Sequence, residues 1–344
     1  MKKFTLHFVC LLVLLMAGCK STILEFPDGE GVDPTLVNVD LNLEVDPDIE
    51  PYAPSKSEED AILYDVRWMV EIFKDEISDT PVLSKVLSSV PDPGGNHKIS
   101  FPISLHAADY HIVAWAEYVD AGSLDDKYYI VESLSSISIP EVGGYIGNED
   151  AKDTYVAVQE MDLRSYRDLW DVAVSHDVIL TRPMAKIEFI TTDLEKFLYE
   201  LESQHSKGEP VADNLLSDNP DFSSISIEVQ YAGYFPTGFN ARANKPNDAR
   251  TGMAFTCKMT RLSAGEARLA SDFVFVNGSE SSVQVNLLIR DRDGNLLNEV
   301  GGVKVPVVRG RLTTIKDEFL TKNYAPGIGI DPGFDGEINI TIPD

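Results

Sequence analysis

Apolar and polar residues alternate without a break in Val37-Asn38-Val39-Asp40-Leu41-Asn42-Leu43-Glu44-Val45. Successive side chains of a β-strand point to opposite faces of the sheet, so this period of two indicates a strand with one buried face and one wet face. The same period recurs along the chain at 66–72, 99–105, 110–116, 225–231, 273–276 and 283–289. These patterns predict a mostly β protein that is built chiefly from antiparallel sheet.

The patterned segments fall into two blocks of similar size. Helical spacing of apolar residues is scarce, and its best example is 193–204, with Asp193 as the N-cap. The second block of strands begins near Met184, after a polar stretch at 175–177 that we interpret as a loop. A chain of 344 residues suits about two domains. We therefore predict two tandem β-sandwich domains with few short helices, an N-terminal one over 35–180 and a C-terminal one over 181–344.

The N-terminus has the layout of a bacterial lipoprotein signal. Lys2 and Lys3 precede an apolar run over 4–16, and Ala17-Gly18 leads into Cys19. The run is too short to span a membrane comfortably, so we predict that residues 1–18 are a cleaved export signal. Cleavage there would make Cys19 the lipidated first residue of the mature chain. The alternative is ordinary secretion, in which Cys19 carries no lipid.

The mature chain is predicted to lie on a membrane surface without crossing it. Residues 19–34 mix Gly, Pro and acidic residues without periodicity, which is typical of a flexible tether. The formal charge of −27 argues against nucleic acid and anionic head groups as the main partners. With Cys10 in the signal and Cys19 lipidated, Cys257 is left alone, so no disulfide can form within the mature chain.

No pattern in the sequence predicts an enzyme, a metal site or a cofactor. The histidines lack ligand spacing, and the sequence contains neither a Gly-x-Ser-x-Gly elbow nor a phosphate-binding loop. Asp291, Asp293 and Asn295 repeat the first half of a calcium loop, but Glu299 comes too early to complete it. We interpret this stretch as a hairpin turn with Gly294 at the positive φ, and calcium stays open as the alternative.

Aromatic residues keep a second function class open, that of a glycan-binding surface lipoprotein. Sugar sites use several exposed aromatic rings. The pool here is Trp68, Trp115, Trp170 and Tyr128-Tyr129, and the three candidates whose burial would decide the question are Trp115, Trp170 and Tyr128. Trp68 and Trp115 lie in strand patterns, where packing in a core is the favoured use. Burial of the three candidates would remove the best support for sugar binding.

Three groups of segments carry a resemblance to a known family. They are Tyr110-His111-Ile112-Val113-Ala114-Trp115-Ala116-Glu117-Tyr118-Val119-Asp120 with Tyr128-Tyr129, Thr181-Arg182-Pro183-Met184-Ala185-Lys186-Ile187-Glu188-Phe189 with Thr192-Asp193-Leu194, and Gly327-Ile328-Gly329-Ile330-Asp331-Pro332-Gly333-Phe334-Asp335-Gly336. They resemble the fimbrillin-type minor subunits that anchor outer-membrane pili in gut and oral Gram-negative anaerobes. The resemblance implies two transthyretin-like β-sandwiches and a surface-exposed fimbrial location, with Cys19 attached to outer-membrane lipid.

The resemblance also implies other pilin subunits as partners, joined by β-strand exchange. Stalk and tip members of the family are trimmed by an Arg-directed protease, which removes the lipid and the first strand, whereas the anchor member keeps its lipid. The candidate donor strand is the alternating C-terminus, with Ile338, Ile340 and Ile342 on one face. The candidate displaceable first strand carries Val37, Val39, Leu41, Leu43 and Val45. The alternative for the C-terminus is an ordinary last strand within its own sandwich.

The spacing of basic residues distinguishes an anchor from a trimmed subunit. No basic residue lies between Lys20 and Lys56, and the first arginine, Arg67, lies inside a strand pattern. A trypsin-like cut in an exposed loop is therefore available only near Lys56. This favours a lipid-anchored minor subunit that attaches or terminates a pilus, over a trimmed stalk or tip pilin.

Overall fold

The computed structural model describes residues 35–49, 51, 64–74, 78–91, 97–140, 144–170, 172–207, 222–322 and 337–341. These residues form a mostly β protein with one α-helix, as the alternating patterns predict. The predicted signal, Cys19 and its tether, and Ile342 at the other end, lie outside the described residues. Within the described part, no helix is long and apolar enough to cross a membrane.

The first half of the chain forms two sheets of its own and contributes two strands to a further sheet. Its strands are β1 (Leu36–Val45), β2 (Tyr64–Phe73), β3 (Leu83–Ser89), β4 (Lys98–His106), β5 (Asp109–Asp120), β6 (Ile130–Ser133), β7 (Ser136–Ser138), β8 (Thr154–Asp162) and β9 (Ala173–Leu180). One sheet has the order β4-β1-β9, and the other has the order β3-β2-β5-β8, whereas β6 and β7 belong to the further sheet. The inward-facing apolar side chains of both sheets are buried in one core, which gives the first predicted sandwich.

The second half also forms two sheets, one of five strands and one of four. Its elements are β10 (Met184–Thr191), α1 (Leu194–Ser206), β11 (Ser226–Tyr231), β12 (Phe235–Asn240), β13 (Lys245–Arg250), β14 (Ala254–Cys257), β15 (Thr260–Arg261), β16 (Ala267–Phe275), β17 (Glu280–Arg290), β18 (Leu296–Val308), β19 (Leu312–Asp317) and β20 (Glu337–Thr341). The sheets have the orders β15-β16-β10-β19-β20 and β14-β11-β17-β18. The helix lies close to its predicted range.

A further sheet joins the two halves. Its order is β13-β12-β7-β6, and Ile137 of β7 pairs with Phe239 of β12 across the predicted boundary near Leu180. Behind it, the Trp115 ring contacts the Phe239 and Phe275 rings at centroid distances of 5.8 and 6.4 Å. The two sandwiches therefore share a continuous core, which the sequence patterns do not reveal because the pairing strands lie about a hundred residues apart.

The structure corrects one local prediction and adds a contact to another. The stretch 175–177, predicted as a loop, lies in the middle of β9, where Asp177 and Ser175 are both hydrogen-bonded by the Asn42 side chain of β1. Polar residues there mark the wet face of a strand. Asp193 lies directly before α1 as predicted, where its carbonyl accepts a hydrogen bond from the Phe197 amide at 2.9 Å, and its carboxylate also accepts hydrogen bonds from the amide and hydroxyl of Thr321, each at 2.7 Å. It thus fastens the chain that follows β19 to the start of the helix.

Candidate functional site

The first strand is the central strand of its sheet. β1 runs antiparallel to β4, with Val39 opposite Ile103, and parallel to β9, with Val39 opposite Val174. All five side chains predicted to face inward are buried, with at most 2% of their surface exposed: Val37, Val39, Leu41, Leu43 and Val45. Removing β1 would leave an apolar groove with an unpaired strand on each side, which is the geometry that accepts an added strand.

The last strand, β20, is exposed and lies at the edge of its sheet. Among its described neighbours it pairs only with β19, with Ile340 opposite Thr313 and Ile338 opposite Ile315. Ile338 is 36% exposed and Ile340 is 43% exposed, and the intervening Asn339 is also exposed. The alternation at 337–341 would fit a strand with one buried face, but the structure buries neither face. β20 is therefore attached to its sheet mainly by main-chain hydrogen bonds.

The first arginine of the chain is inaccessible in the folded protein. Arg67 lies in β2, and its buried guanidinium donates from Nε to Glu117 Oε1 at 2.9 Å and from Nη2 to Asp126 at 2.8 Å. Burial raises the pKa of Glu117 to about 7, and the adjacent Arg67 opposes this shift. A protease that recognises arginine would have to unfold β2 to reach this side chain.

A buried ionic cluster, which sequence reasoning missed, lies between the two halves. Lys152 Nζ is 2.6 Å from Asp272 Oδ1, and both side chains are almost fully buried. The hydroxyls of Tyr145 and Tyr231 donate to Asp272 Oδ2 at 2.6 and 2.5 Å. Burial lowers the pKa of Lys152, while the Asp272 carboxylate acts in the opposite direction. The cluster fixes the position of the first half, which carries Lys152, against β16 of the second.

Two more ion pairs extend this cluster along the start of the second half. Arg182 donates from Nε and Nη2 to the carboxylate of Asp153 at 2.6 and 2.7 Å, with both groups buried. Lys186 Nζ is 2.7 Å from Asp150 Oδ1. Both basic residues lie in the segment 181–189 that carries the family resemblance. The resemblance of that segment is the one sequence signal for these ion pairs. The acidic partners of Arg182 and Lys186 lie about 30 residues earlier in the chain, so the sequence does not reveal them.

The tryptophans do not form a sugar-binding platform. Trp68 and Trp115 are fully buried, as their strand positions predict, and Tyr128 is buried as well. Trp170 alone among the three tryptophans is exposed. Stacking on a sugar chain needs several exposed rings at one surface, so burial of Trp115 and Tyr128 removes most of the support for glycan binding.

Two candidates for chemistry remain, the turn at Asp291 and the thiol of Cys257. The Asp291 carboxylate accepts hydrogen bonds from the amides of Asp293 and Asn295 at 2.9 and 2.8 Å, which closes the turn between β17 and β18 on itself. Within the described residues, no group of three or more His, Cys, Asp or Glu is placed to hold a metal ion. Burial raises the pKa of Cys257 to about 12, so its thiol stays protonated and unreactive at neutral pH.

Several solved structures are similar to this chain at low sequence identity. No curated protein matches the chain. A candidate cell adhesion protein from Bacteroides eggerthii is 13% identical with a TM-score of 0.45, covering 91% of this chain and 97% of its own. A candidate adhesin from Bacteroides ovatus is 14% identical with a TM-score of 0.43, covering 90% and 93%. The fimbrial anchor protein Mfa2 from Porphyromonas gingivalis is 12% identical with a TM-score of 0.37, covering 82% and 90%.

The family assignment rests on the sequence as a whole. A family model matches residues 34–343, which span both sandwiches and begin at the end of the predicted tether. The chain therefore belongs to the family of unknown function designated DUF6562.

Proposed function

We propose that this protein is a lipid-anchored minor subunit of a surface pilus, which attaches or terminates a strand-exchanged pilin polymer at the outer membrane. The observation that carries the proposal is the contrast between its two terminal strands. β1 is buried and bonded on both sides, whereas β20 lies at a sheet edge with both faces open. The lipoprotein signal before Cys19 and the resemblance to fimbrillin-type minor subunits agree with this role.

The exposed last strand suits donation to a neighbouring subunit. In β-augmentation, main-chain hydrogen bonds give affinity and alternate side chains that enter pockets give register. Ile338 and Ile340 supply such side chains, and at 36% and 43% exposure they lose less apolar burial than fully buried side chains would when β20 leaves β19. The acceptor would be a pilin whose own first strand has been removed. Strand exchange could thus join this protein to the polymer without unfolding its core.

The buried first strand favours an anchor over a stalk or tip subunit. A polymerising subunit of the resembled family loses its first strand after cleavage at an arginine. Here the first arginine, Arg67, is buried in an ion pair with Glu117. An Arg-directed protease has no earlier site in the chain, so β1 and the link to Cys19 are expected to stay intact. Cleavage near Lys56 by another protease would make the protein a trimmed stalk or tip pilin instead.

Intact mass and N-terminal analysis of the protein from cells that make their own pili tests this proposal. We expect a chain that begins at an acylated Cys19, extracts with the membrane and co-purifies with pilin. A lipid-free chain that begins after Lys56 or Arg67 would show a trimmed subunit. An acylated chain with no pilin partner would contradict the pilus role and return attention to glycan capture.

Deleting residues 337–344 is expected to abolish co-purification with pilin while the protein stays folded. The deletion removes β20, whose described side chains are exposed, so the free energy of unfolding should change little. The measurement is pilin recovery with the tagged protein, together with a urea unfolding curve. The matched variants are Ile338→Ser with Ile340→Ser, which should weaken recovery, and Asn339→Ser with Thr341→Ser, which should not. Unchanged recovery after the deletion would rule out β20 as the donor.

A further inference from the structure

We propose that the end of the N-terminal sandwich at which the chain enters the fold docks on the membrane surface. The docking surface is the entry patch, which consists of Leu36, Leu169 and Trp170. Its occupant is the interfacial layer of the membrane that would hold the acyl chains of Cys19. The inference rests on the proposed lipid anchor and adds to it a defined orientation of the protein on the bilayer.

The loop that carries Leu169 and Trp170 has a defined backbone. After β8, Leu163 is buried and a single 3₁₀ turn covers Arg164–Tyr166. The Leu169 amide then donates to the Tyr166 carbonyl at 3.0 Å. Asp168 adopts a left-handed conformation with φ of 63°, which Asp tolerates better than most residues. The two apolar side chains are therefore presented to solvent by a hydrogen-bonded turn.

This loop lies against the start of β1. The Asp168 amide donates to the Thr35 hydroxyl at 3.1 Å, and the Asn38 amide donates to the Val172 carbonyl at 3.1 Å. Leu36, between these two contacts, points away from the core and is 43% exposed. Leu169 is 49% exposed and Trp170 is 57% exposed. Three large apolar side chains are thus open to solvent at the end of the sandwich that receives the tether.

The tether is short enough to keep this end near the bilayer. Fifteen residues, 20–34, separate Cys19 from Thr35. A tether with the composition-based flexibility predicted for 20–34 would have a root-mean-square span of about 20 Å. Acyl chains on Cys19 would therefore hold the entry patch within about that distance of the membrane, at a high effective concentration. Weak apolar contacts, which would be negligible in free solution, then suffice for docking.

The chemistry of the patch fits the interfacial layer of a membrane, reached by apolar insertion. Tryptophan prefers the level of the head groups, where its ring is in an apolar layer and its indole N–H remains hydrated. The nearby guanidinium of Arg164 is paired with Asp109 at 2.8 Å and with Asp162 at 2.9 Å. Those contacts offset its positive charge, and the chain as a whole is strongly negative. Attraction to anionic lipid is therefore not expected, and apolar insertion would provide the contact.

Tryptophan fluorescence gives a selective test because Trp68 and Trp115 are fully buried and Trp170 is not. Acrylamide quenching of the acylated protein in phosphatidylcholine vesicles is compared with that of a soluble chain that begins at Lys20. We expect the accessible component to be quenched several-fold less on vesicles, with a blue-shifted emission and with added quenching by phosphatidylcholine brominated on its acyl chains. Trp170→Phe should remove that component, which confirms its assignment.

The outcomes separate this inference from the proposed function. Leu36→Ser with Leu169→Ser should restore quenching of Trp170 on vesicles, whereas Leu262→Ser, at an exposed leucine in the second half, should not. Equal quenching of the acylated and soluble proteins would overturn membrane docking, while co-purification with pilin could still hold. A chain that is not acylated at Cys19 would overturn both, since nothing would then keep the patch at the bilayer.

Discussion

Leu41→Ala is expected to lower the free energy of unfolding by about 2–5 kcal/mol, the range seen when a buried leucine is truncated. Leu41 is fully buried at the middle of β1, opposite Phe101 of β4 and His176 of β9. The variant loses the apolar burial of the leucine side chain and gains a cavity. Strands β4 and β9, which are hydrogen-bonded to β1 on both sides, keep that cavity from collapsing. Urea unfolding of the chain that begins at Lys20, followed by fluorescence, measures the change.

Asp40→Ala provides the matched control for this substitution. Asp40 is the neighbouring residue of the same strand, but its side chain is exposed, so its truncation should change stability by no more than about 0.5 kcal/mol. Equal effects of the two substitutions would show that β1 does not contribute to the core.

The expected cost also bears on how the protein assembles. Each of the five buried side chains of β1 contributes about 1.5–3 kcal/mol by leaving water. β1 would therefore not leave its sheet spontaneously, even after a cut between β1 and β2. An incoming strand could replace it only by burying a similar apolar face in the same groove. The tightly held β1 therefore favours a protein that donates a strand over one that accepts a strand.

Lys152→Met is expected to lower the free energy of unfolding by about 3–5 kcal/mol, because it leaves the Asp272 carboxylate buried without its cation. Tyr145 and Tyr231 still donate to Asp272 in the variant, but two neutral donors do not balance a buried negative charge. The same urea unfolding experiment measures the loss. Adding Asp272→Asn should recover part of it, since the unpaired charge is then absent.

The matched control is Lys196→Met, which breaks an exposed ion pair. Lys196 Nζ is 3.4 Å from Glu318 Oε2, and about half of each side chain is in water. Surface pairs of this kind contribute about 0–1 kcal/mol, so the variant should remain close to the parent protein. If Lys152→Met were equally mild, Lys152 and Asp272 would not form the buried pair that joins the halves.

The interface between the two sandwiches would carry mechanical load in the proposed anchor. Tension between a lipid at Cys19 and a pilin bound at β20 would pass from the first sandwich to the second. The link consists of the Lys152–Asp272 pair, the sheet that pairs β7 with β12, and the aromatic packing around Trp115. Two sandwiches with a shared core transmit load better than two domains on a free linker, which fits attachment of a filament to a membrane.

Local periodicity in the sequence determined the most regular strands, although it misplaced a loop at 175–177 inside β9. The period of two in 37–45 predicts β1 and its inward face correctly, because side-chain direction in a strand depends only on the neighbouring residues. The helix near 194–206 and the turn at Asp291 follow from local spacing in the same way. The lipoprotein signal is likewise a local pattern, and lipidation of Cys19 remains a prediction.

Tertiary structure alone decided which strand edges meet and which charges are buried. Residues far apart in the chain meet where β7 pairs with β12 and where Lys152 contacts Asp272. The exposure of β20 likewise depends on which sheets lie next to it. The alternation at Ile338 and Ile340 indicates a strand, but it cannot show whether another layer covers that strand. Burial depends on the global arrangement of sheets, and many arrangements are compatible with the same local periodicity.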